Sequence, residues 1–162
     1  MNIFEKIFSE LNKAKVKYLV VGGMAVNLYG YVRFTGDLDI ILLLSEQNLE
    51  KISKVMGKLG YAERIPVKVT ELKDLQRVKK WLKEKNMQAF SFVPQKDSPL
   101  QIDIIIKESL GFEEIYKRKC MKKSGKINIP VVSVGDLVKM KKTANRPQDR
   151  IDVEALKNLK KL

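Results

Sequence analysis

The chain has 162 residues, a formal net charge of +13, one cysteine and no histidine. That length builds one core with a small helical appendage but not two full domains. Without histidine, Ser-His-Asp and Cys-His nucleophile systems and histidine-ligated zinc are excluded, so any catalysis runs on carboxylates, lysines, arginines, hydroxyls and hard metal ions.

Ile3, Phe4, Ile7, Phe8 and Leu11 recur at helical spacing and predict an amphipathic helix to about residue 13. Residues 16–21 are a short β-branched-rich run closed by Gly22 and Gly23, the pattern of a buried strand. Residues 24–29 then read as a short helix ended by Gly30. A second strand is expected over 37–44, and Ser45 caps a helix through Leu59 that Gly60 ends. Strand, helix, strand, helix is an α/β opening.

A strand over 61–69 is expected near a sheet edge because Pro66 interrupts it, followed by a charged surface helix over 72–85. Residues 88–94 and 100–106 read as a hairpin around Asp97, Ser98 and Pro99. The basic segment 112–123 reads as a helix and 126–132 as a last short strand. Ser133 and Asp136 stand at capping-box spacing before a helix to about Ala144. Pro147 opens a C-terminal helix carrying Val153, Leu156 and Leu159. The expected organisation is a single α/β (α+β) unit over 1–162, with a core over 1–132 and helices over 133–162 packed on it.

The lone Cys120 forms neither an intrachain disulfide nor a cysteine-based metal site, which fits a reducing cytoplasm. No signal-peptide pattern is present, and the longest apolar run, 40–44, is far too short to span a bilayer.

Asp37 and Asp39 open one of the most apolar runs of the chain. In a strand, residues two apart share a face, so the two acids project together while Leu38 and Ile40 point into the core. Asp103 repeats the situation inside LQIDIIIK. If that strand lies beside 37–44, three carboxylates converge, and their repulsion calls for a cation. All-oxygen ligation selects magnesium first and manganese second, and two ions bridged by carboxylates make a clamp for in-line phosphoryl transfer. Each part also has a plain structural reading. Asp-x-Asp occurs as a cap or turn, a strand acid can face solvent, and Gly-Gly can be a turn needing positive φ. The ordered set favours the chemical reading, with Gly22 and Gly23 exposing backbone N–H groups to an anion.

VVGGMAV, RFTGDLDI and LQIDIII together resemble the DNA polymerase β-type nucleotidyltransferase superfamily. SVGDLVKMKKTANRPQDRIDVEAL is similar to the corresponding segment of its AbiEii-like toxin and minimal nucleotidyltransferase branch. The resemblance covers about 16–156 and implies a polymerase β-like fold, a mixed sheet flanked by helices. It implies Asp37, Asp39 and Asp103 as catalytic metal ligands, Asp103 also helping to deprotonate the attacking hydroxyl. It implies Gly22 and Gly23 as the phosphate-contacting turn, with Arg33 and Thr35 in its lead-in. Lys141 is implied as a phosphate-reaching lysine, and Asp149 as the acid of the Arg-x-x-Asp pattern at Arg146.

The activity so implied is magnesium- or manganese-dependent transfer of a nucleoside monophosphate from a nucleoside triphosphate to an acceptor hydroxyl of RNA, tRNA among it, of protein, or of a small molecule. An antitoxin protein is a further expected partner. The charge of +13 favours a polyanionic acceptor, while a lysine-rich surface of the heat-adapted kind explains it equally. A non-catalytic RNA- or protein-binding member of the same fold is the alternative, which three retained carboxylates disfavour. A nucleotide-sugar transferase using Asp-x-Asp is disfavoured by the upstream Gly-Gly and the third strand acid.

Overall fold

The computed structural model describes residues 1–96 and 98–160. In chain order its elements are α1 (Ile3–Lys13), β1 (Tyr18–Val21), α2 (Gly22–Leu28), β2 (Asp37–Leu42), α3 (Glu46–Lys58), β3 (Tyr61–Glu63) and α4 (Leu75–Lys85). There follow β4 (Ala89–Pro94), β5 (Gln101–Ile105), α5 (Ile106–Ser109), α6 (Phe112–Lys117), β6 (Cys120–Ser124), β7 (Ile127–Val131), α7 (Val134–Ala144) and α8 (Pro147–Lys160).

The strands form a seven-stranded mixed sheet in the order β3-β4-β5-β2-β1-β7-β6. At its centre β2 runs antiparallel to β1 and parallel to β5, and β7 runs parallel to β1. The outer strands are added as antiparallel pairs. The central strands are apolar because both faces are covered. Every residue of β1 is buried, and Leu38, Ile40, Ile41 and Leu42 of β2 have no exposed surface. Ile7 and Leu11 of α1, Leu49 and Ile52 of α3 and Leu137 of α7 join the same apolar cluster as Ile102 and Ile104 of β5. Each such side chain contributes about 1.5–3 kcal/mol on burial.

A polar residue inside that cluster needs partners, and Asn48 has three. Its carboxamide accepts from the Lys17 N–H at 2.8 Å and donates to the carbonyls of Lys17 and Leu43 at 2.9 Å each, tying the start of β1 to the end of β2. Ser45 and Ser133 cap α3 and α7, accepting from the N–H groups of Asn48 and Asp136. The expected hairpin forms between β4 and β5, pairing Ala89 with Ile105 and Phe92 with Ile102. Asp97, expected in its turn, lies outside the described residues.

Three elements differ from expectation. The basic segment 112–123 is helical only to Lys117, and Cys120–Ser124 is edge strand β6, paired with β7 from Cys120–Val131 to Ser124–Ile127. The two-residue connection Gly125-Lys126, with Gly125 at φ 59°, is a hairpin turn of the II′ kind. The sequence CMKKS, with Met121 its one large apolar side chain, carries little periodic signal, so the partner strand decides its conformation. Strand β3 stops at Glu63, three residues before Pro66, and remains at a sheet edge as expected. A 3-10 turn over Val69–Lys73 then delays the next helix to Leu75, capped by Asp74.

Candidate active site

Strands β2 and β5 run parallel and in register, which puts Asp37 beside Gln101 and Asp39 directly beside Asp103. The three carboxylates thus share one sheet face at the starts of these strands. Asp37 is exposed, and Asp39 and Asp103 are half-buried. Burial first, then Asp103 and Asp37, push the Asp39 carboxyl up to about 7 against the pull of Lys141 and Arg146. Burial and Asp103 raise Asp37 as well, with Arg64 opposing. None of the three is in an ion pair with a described residue. Asp103 accepts a hydrogen bond from Gln101 Nε2 at 2.9 Å.

Strand β1 ends at Val21, paired with Asp39, and turns into α2 through the two glycines. Gly22 has φ 66°, and a Cβ there would collide with Asp39 Oδ2. At Gly23 an added Cβ would lie 2.9 Å from Thr35 Oγ1 and 3.0 Å from the Arg33 guanidinium. The first glycine brings backbone against the acid. The second lets the loop leading to β2 pack beneath α2.

That loop is held firmly. Asn27 accepts from the Arg33 N–H at 3.1 Å and donates to the Arg33 carbonyl at 3.0 Å, and Thr35 Oγ1 donates to the Asp37 carbonyl at 3.1 Å. Arg33 reaches inward in a fork onto Asp152, at 2.9 and 2.7 Å. Asp152 also takes Lys141 at 2.8 Å and Gln148 at 2.9 Å, and Lys141 in turn meets Asp149 at 3.1 Å. Burial alone would raise the Asp152 carboxyl, but the hydrogen bonds from Arg33, Lys141 and Gln148 outweigh it and hold it at about 2. Asp149 closes the cluster by accepting from the backbone N–H and Nε of Arg146, at 3.0 and 2.8 Å, where α7 hands over to α8.

Between the carboxylate face of the sheet and α7 lies a groove of about 650 Å³. Gly22, Asp37, Asp39 and Asp103 line one wall, and Lys141, Arg146 and Asp149 the other. Gly23, Arg33 and Thr35 stand outside it, behind the glycine turn. A smaller cavity of about 380 Å³, lined by Leu43, Leu44, Leu75 and residues 109–114, contains no expected site residue.

The groove's acidic donors are oxygen-only, which suits magnesium or manganese. Among the described residues no three acidic or thiol side chains close around a common point. Magnesium is commonly held by one or two carboxylates with substrate phosphates completing its shell, so the residues fit that ion.

A family model described as nucleotidyl transferase AbiEii toxin, type IV toxin–antitoxin system, matches residues 9–160. The chain belongs to the AbiEii family. Its class is therefore nucleotidyltransferase. Among solved structures it is similar to the lincosamide antibiotic adenylyltransferase LnuA bound to lincomycin, at 17% identity and a TM-score of 0.62, covering 98% of each chain. A Thermotoga maritima protein described as a nucleotidyltransferase is 14% identical with a TM-score of 0.60, covering 96% of this chain and 91% of that one. ANT(2'')-Ia in complex with adenylyl-2''-tobramycin is 12% identical with a TM-score of 0.58, covering 95% and 85%. These likenesses place the AbiEii-family chain in the polymerase β-like nucleotidyltransferase fold. No curated sequence matches it. No described helix is long and apolar enough to cross a membrane.

Within this AbiEii-family site, sequence reasoning overlooked Asp152. Its side chain has no exposed surface, yet read along the chain it looks like one more acid among helix-surface charges. Its partner Arg33 lies 119 positions away, so no local pattern signals the pair. Lys141, which in sequence resembles a solvated charge in MKK, has a side chain only 6% exposed.

Proposed function

We propose that this AbiEii-family protein is a divalent-metal-dependent enzyme that moves a nucleoside monophosphate from a nucleoside triphosphate to an acceptor hydroxyl, releasing pyrophosphate. The supporting observation is the in-register Asp39–Asp103 pair with Asp37 beside it, acids without an ionic partner among the described residues, at a groove whose other wall carries Lys141 and Arg146. Of Asp37, Asp39 and Asp103, one or two would hold each magnesium or manganese ion, which when bound would offset carboxylate repulsion and the charge developing on phosphate oxygens.

The acceptor oxygen forms a bond to the α-phosphorus as the bond from that phosphorus to the α–β bridging oxygen breaks. The hydroxyl proton passes to Asp103, and pyrophosphate leaves with the bond's electron pair. Gly22 brings backbone to the phosphates, while Gly23, Arg33 and Thr35 support that turn from behind. Lys141 is already engaged by two acids and acts on the phosphates as a fixed positive charge. Arg146, with a side chain 74% exposed, is the freer contact.

The acceptor we favour is an RNA end, tRNA among them, supported by the net charge of +13. The exposed Val32 and Phe34, five and three residues before Asp37, offer it a face beside the site. The family description supports an antitoxin protein as partner. The test incubates each labelled nucleoside triphosphate with magnesium, total RNA and total protein, using Asp39→Asn as blank. Label in RNA with the wild type alone is expected. Label only in protein would replace the acceptor, and failure of nucleotide binding would favour the non-catalytic module.

A further inference from the structure

We propose that the groove section beyond the carboxylates seats the nucleobase of the donor triphosphate, with its edge read by Asn86 and Gln88. This rests on the nucleotidyl-transfer reading above and names a subsite within it.

Asp39 and Asp103 mark the charged end of the groove. Along β5 the next residue on the same face is Ile105, which pairs with Ala89 of β4. The Ile106 N–H then donates to the Gln88 carbonyl at 3.0 Å. Gln88 therefore stands three residues beyond Asp103, about 10 Å along the strand at roughly 3.3 Å per residue. Facing this floor, Met140 and Ala144 lie four apart on α7 and share one helix face.

All six of these residues, Asn86, Gln88, Ala89, Ile105, Met140 and Ala144, line the groove. Its far section thus sets an apolar strip of Ala89, Ile105, Met140 and Ala144, with alanine on both walls, among the polar Lys107, Glu108 and Thr143. The apolar strip suits the face of a heterocycle, whereas the carboxylates with Lys141 and Arg146 at the other end suit a metal-bound triphosphate. Apolar walls with a few placed polar groups are the usual composition of a small-molecule site.

The polar groups are the two amides. Gln88 Nε2 donates to Asn86 Oδ1 at 2.7 Å, which leaves Gln88 Oε1 to accept and N–H groups of both amides to donate. A base edge carries donors and acceptors alike, so a linked amide pair is matched to it. The left-handed backbone of Asn86, φ 48° and ψ 39°, accounts for asparagine at the end of α4. It does not account for the side chain joining Gln88 at the groove.

The test is calorimetric titration with ATP, GTP, CTP, UTP and inorganic tripolyphosphate, in magnesium, on the wild type and three variants. Asn86→Gly keeps the left-handed backbone while removing the amide, Gln88→Ala removes its partner, and Ala144→Leu crowds the apolar strip. The wild type is expected to bind one triphosphate about tenfold or more tighter than the weakest of the four and than tripolyphosphate. Asn86→Gly and Gln88→Ala should flatten that preference with tripolyphosphate binding unchanged, which also shows that the variants are folded. Ala144→Leu should bring all four nucleotides down to the tripolyphosphate level. A preference surviving in all three variants, or wild-type nucleotides binding no tighter than tripolyphosphate, overturns the base subsite while leaving the transferase reading intact. Binding of neither nucleotide nor tripolyphosphate overturns both.

Discussion

The molecule holds two groups of acids, treated in opposite ways. Asp37, Asp39 and Asp103 stand on one sheet face without a cationic partner among the described residues, and Asp37 and Asp39 are raised from the ordinary carboxylate value, burial first and mutual repulsion second. Asp149 and Asp152, only a groove's width away, are almost wholly buried but matched by Arg33, Lys141 and Arg146, and both are lowered. Burial alone therefore does not decide in which direction a carboxyl is shifted. The second group has its counterions within the chain and holds the loop before β2 to α7 and α8. The first has none among the described residues.

The contrast breaks most sharply at the unpaired acids. Asp39→Asn and Asp103→Asn should each lower nucleotidyl transfer by more than about 100-fold, as for loss of a main electrostatic stabiliser. The stability of the ligand-free protein should hold or rise because self-repulsion falls. Transfer assays paired with urea denaturation read both effects, and near-wild-type turnover in either variant would remove that residue from the site. Asp152→Asn should behave in the opposite sense, leaving Arg33 and Lys141 undercompensated and costing about 3–5 kcal/mol of stability. Its unfolding midpoint in urea measures this directly.

Acid sharpens the same distinction. The Asp152 carboxyl sits at about 2 in the folded chain against an ordinary 3.8. A depressed folded value means that its contribution is complete above the unfolded value and is lost as pH falls from 3.8 towards 2. Wild-type stability should therefore decline across that window, and more gently in Asp152→Asn. The variant keeps some slope, since Asp149 and Asp136 are also lowered. A urea midpoint measured at several pH values would contradict this if the two profiles ran parallel.

Gly23→Ala tests the packing beneath the turn. Its new methyl presses on Arg33 and Thr35, and a loss of about 1–3 kcal/mol is expected from overpacking. The smallest effect belongs to Glu114→Gln. Both partners of the Lys117–Glu114 pair are 71% exposed, so thermal unfolding should shift by no more than about 0.5 kcal/mol suggests.

Much of the scaffold was legible along the chain. The runs 16–21 and 37–44, serine caps at 45 and 133 and the proline at 147 are local signals, and each marks an element of the fold. The polar turn between 88–94 and 100–106 likewise announced a hairpin. Strand β6 was not legible, because Cys120–Ser124 lacks a buried apolar stripe and becomes a strand through pairing with β7. Of the site, the spacing of Asp37 and Asp39 already placed them on one face, whereas the company of Asp103 depended on β5 docking beside β2.

By itself, then, the sequence determined which residues are candidates for the proposed chemistry. It supplies carboxylates two apart at the start of an apolar strand, a glycine pair ahead of them and no histidine to offer another route. The tertiary structure alone decided which of the described charges are paired and which are not. Arg33, Lys141, Asp149 and Asp152 neutralise one another across up to 119 positions, while Asp37, Asp39 and Asp103 are left facing a groove. The physical reason is range. Backbone periodicity and capping act over a few residues and can be read locally, but Coulombic pairing and desolvation depend on which distant side chains the fold brings within about 4 Å.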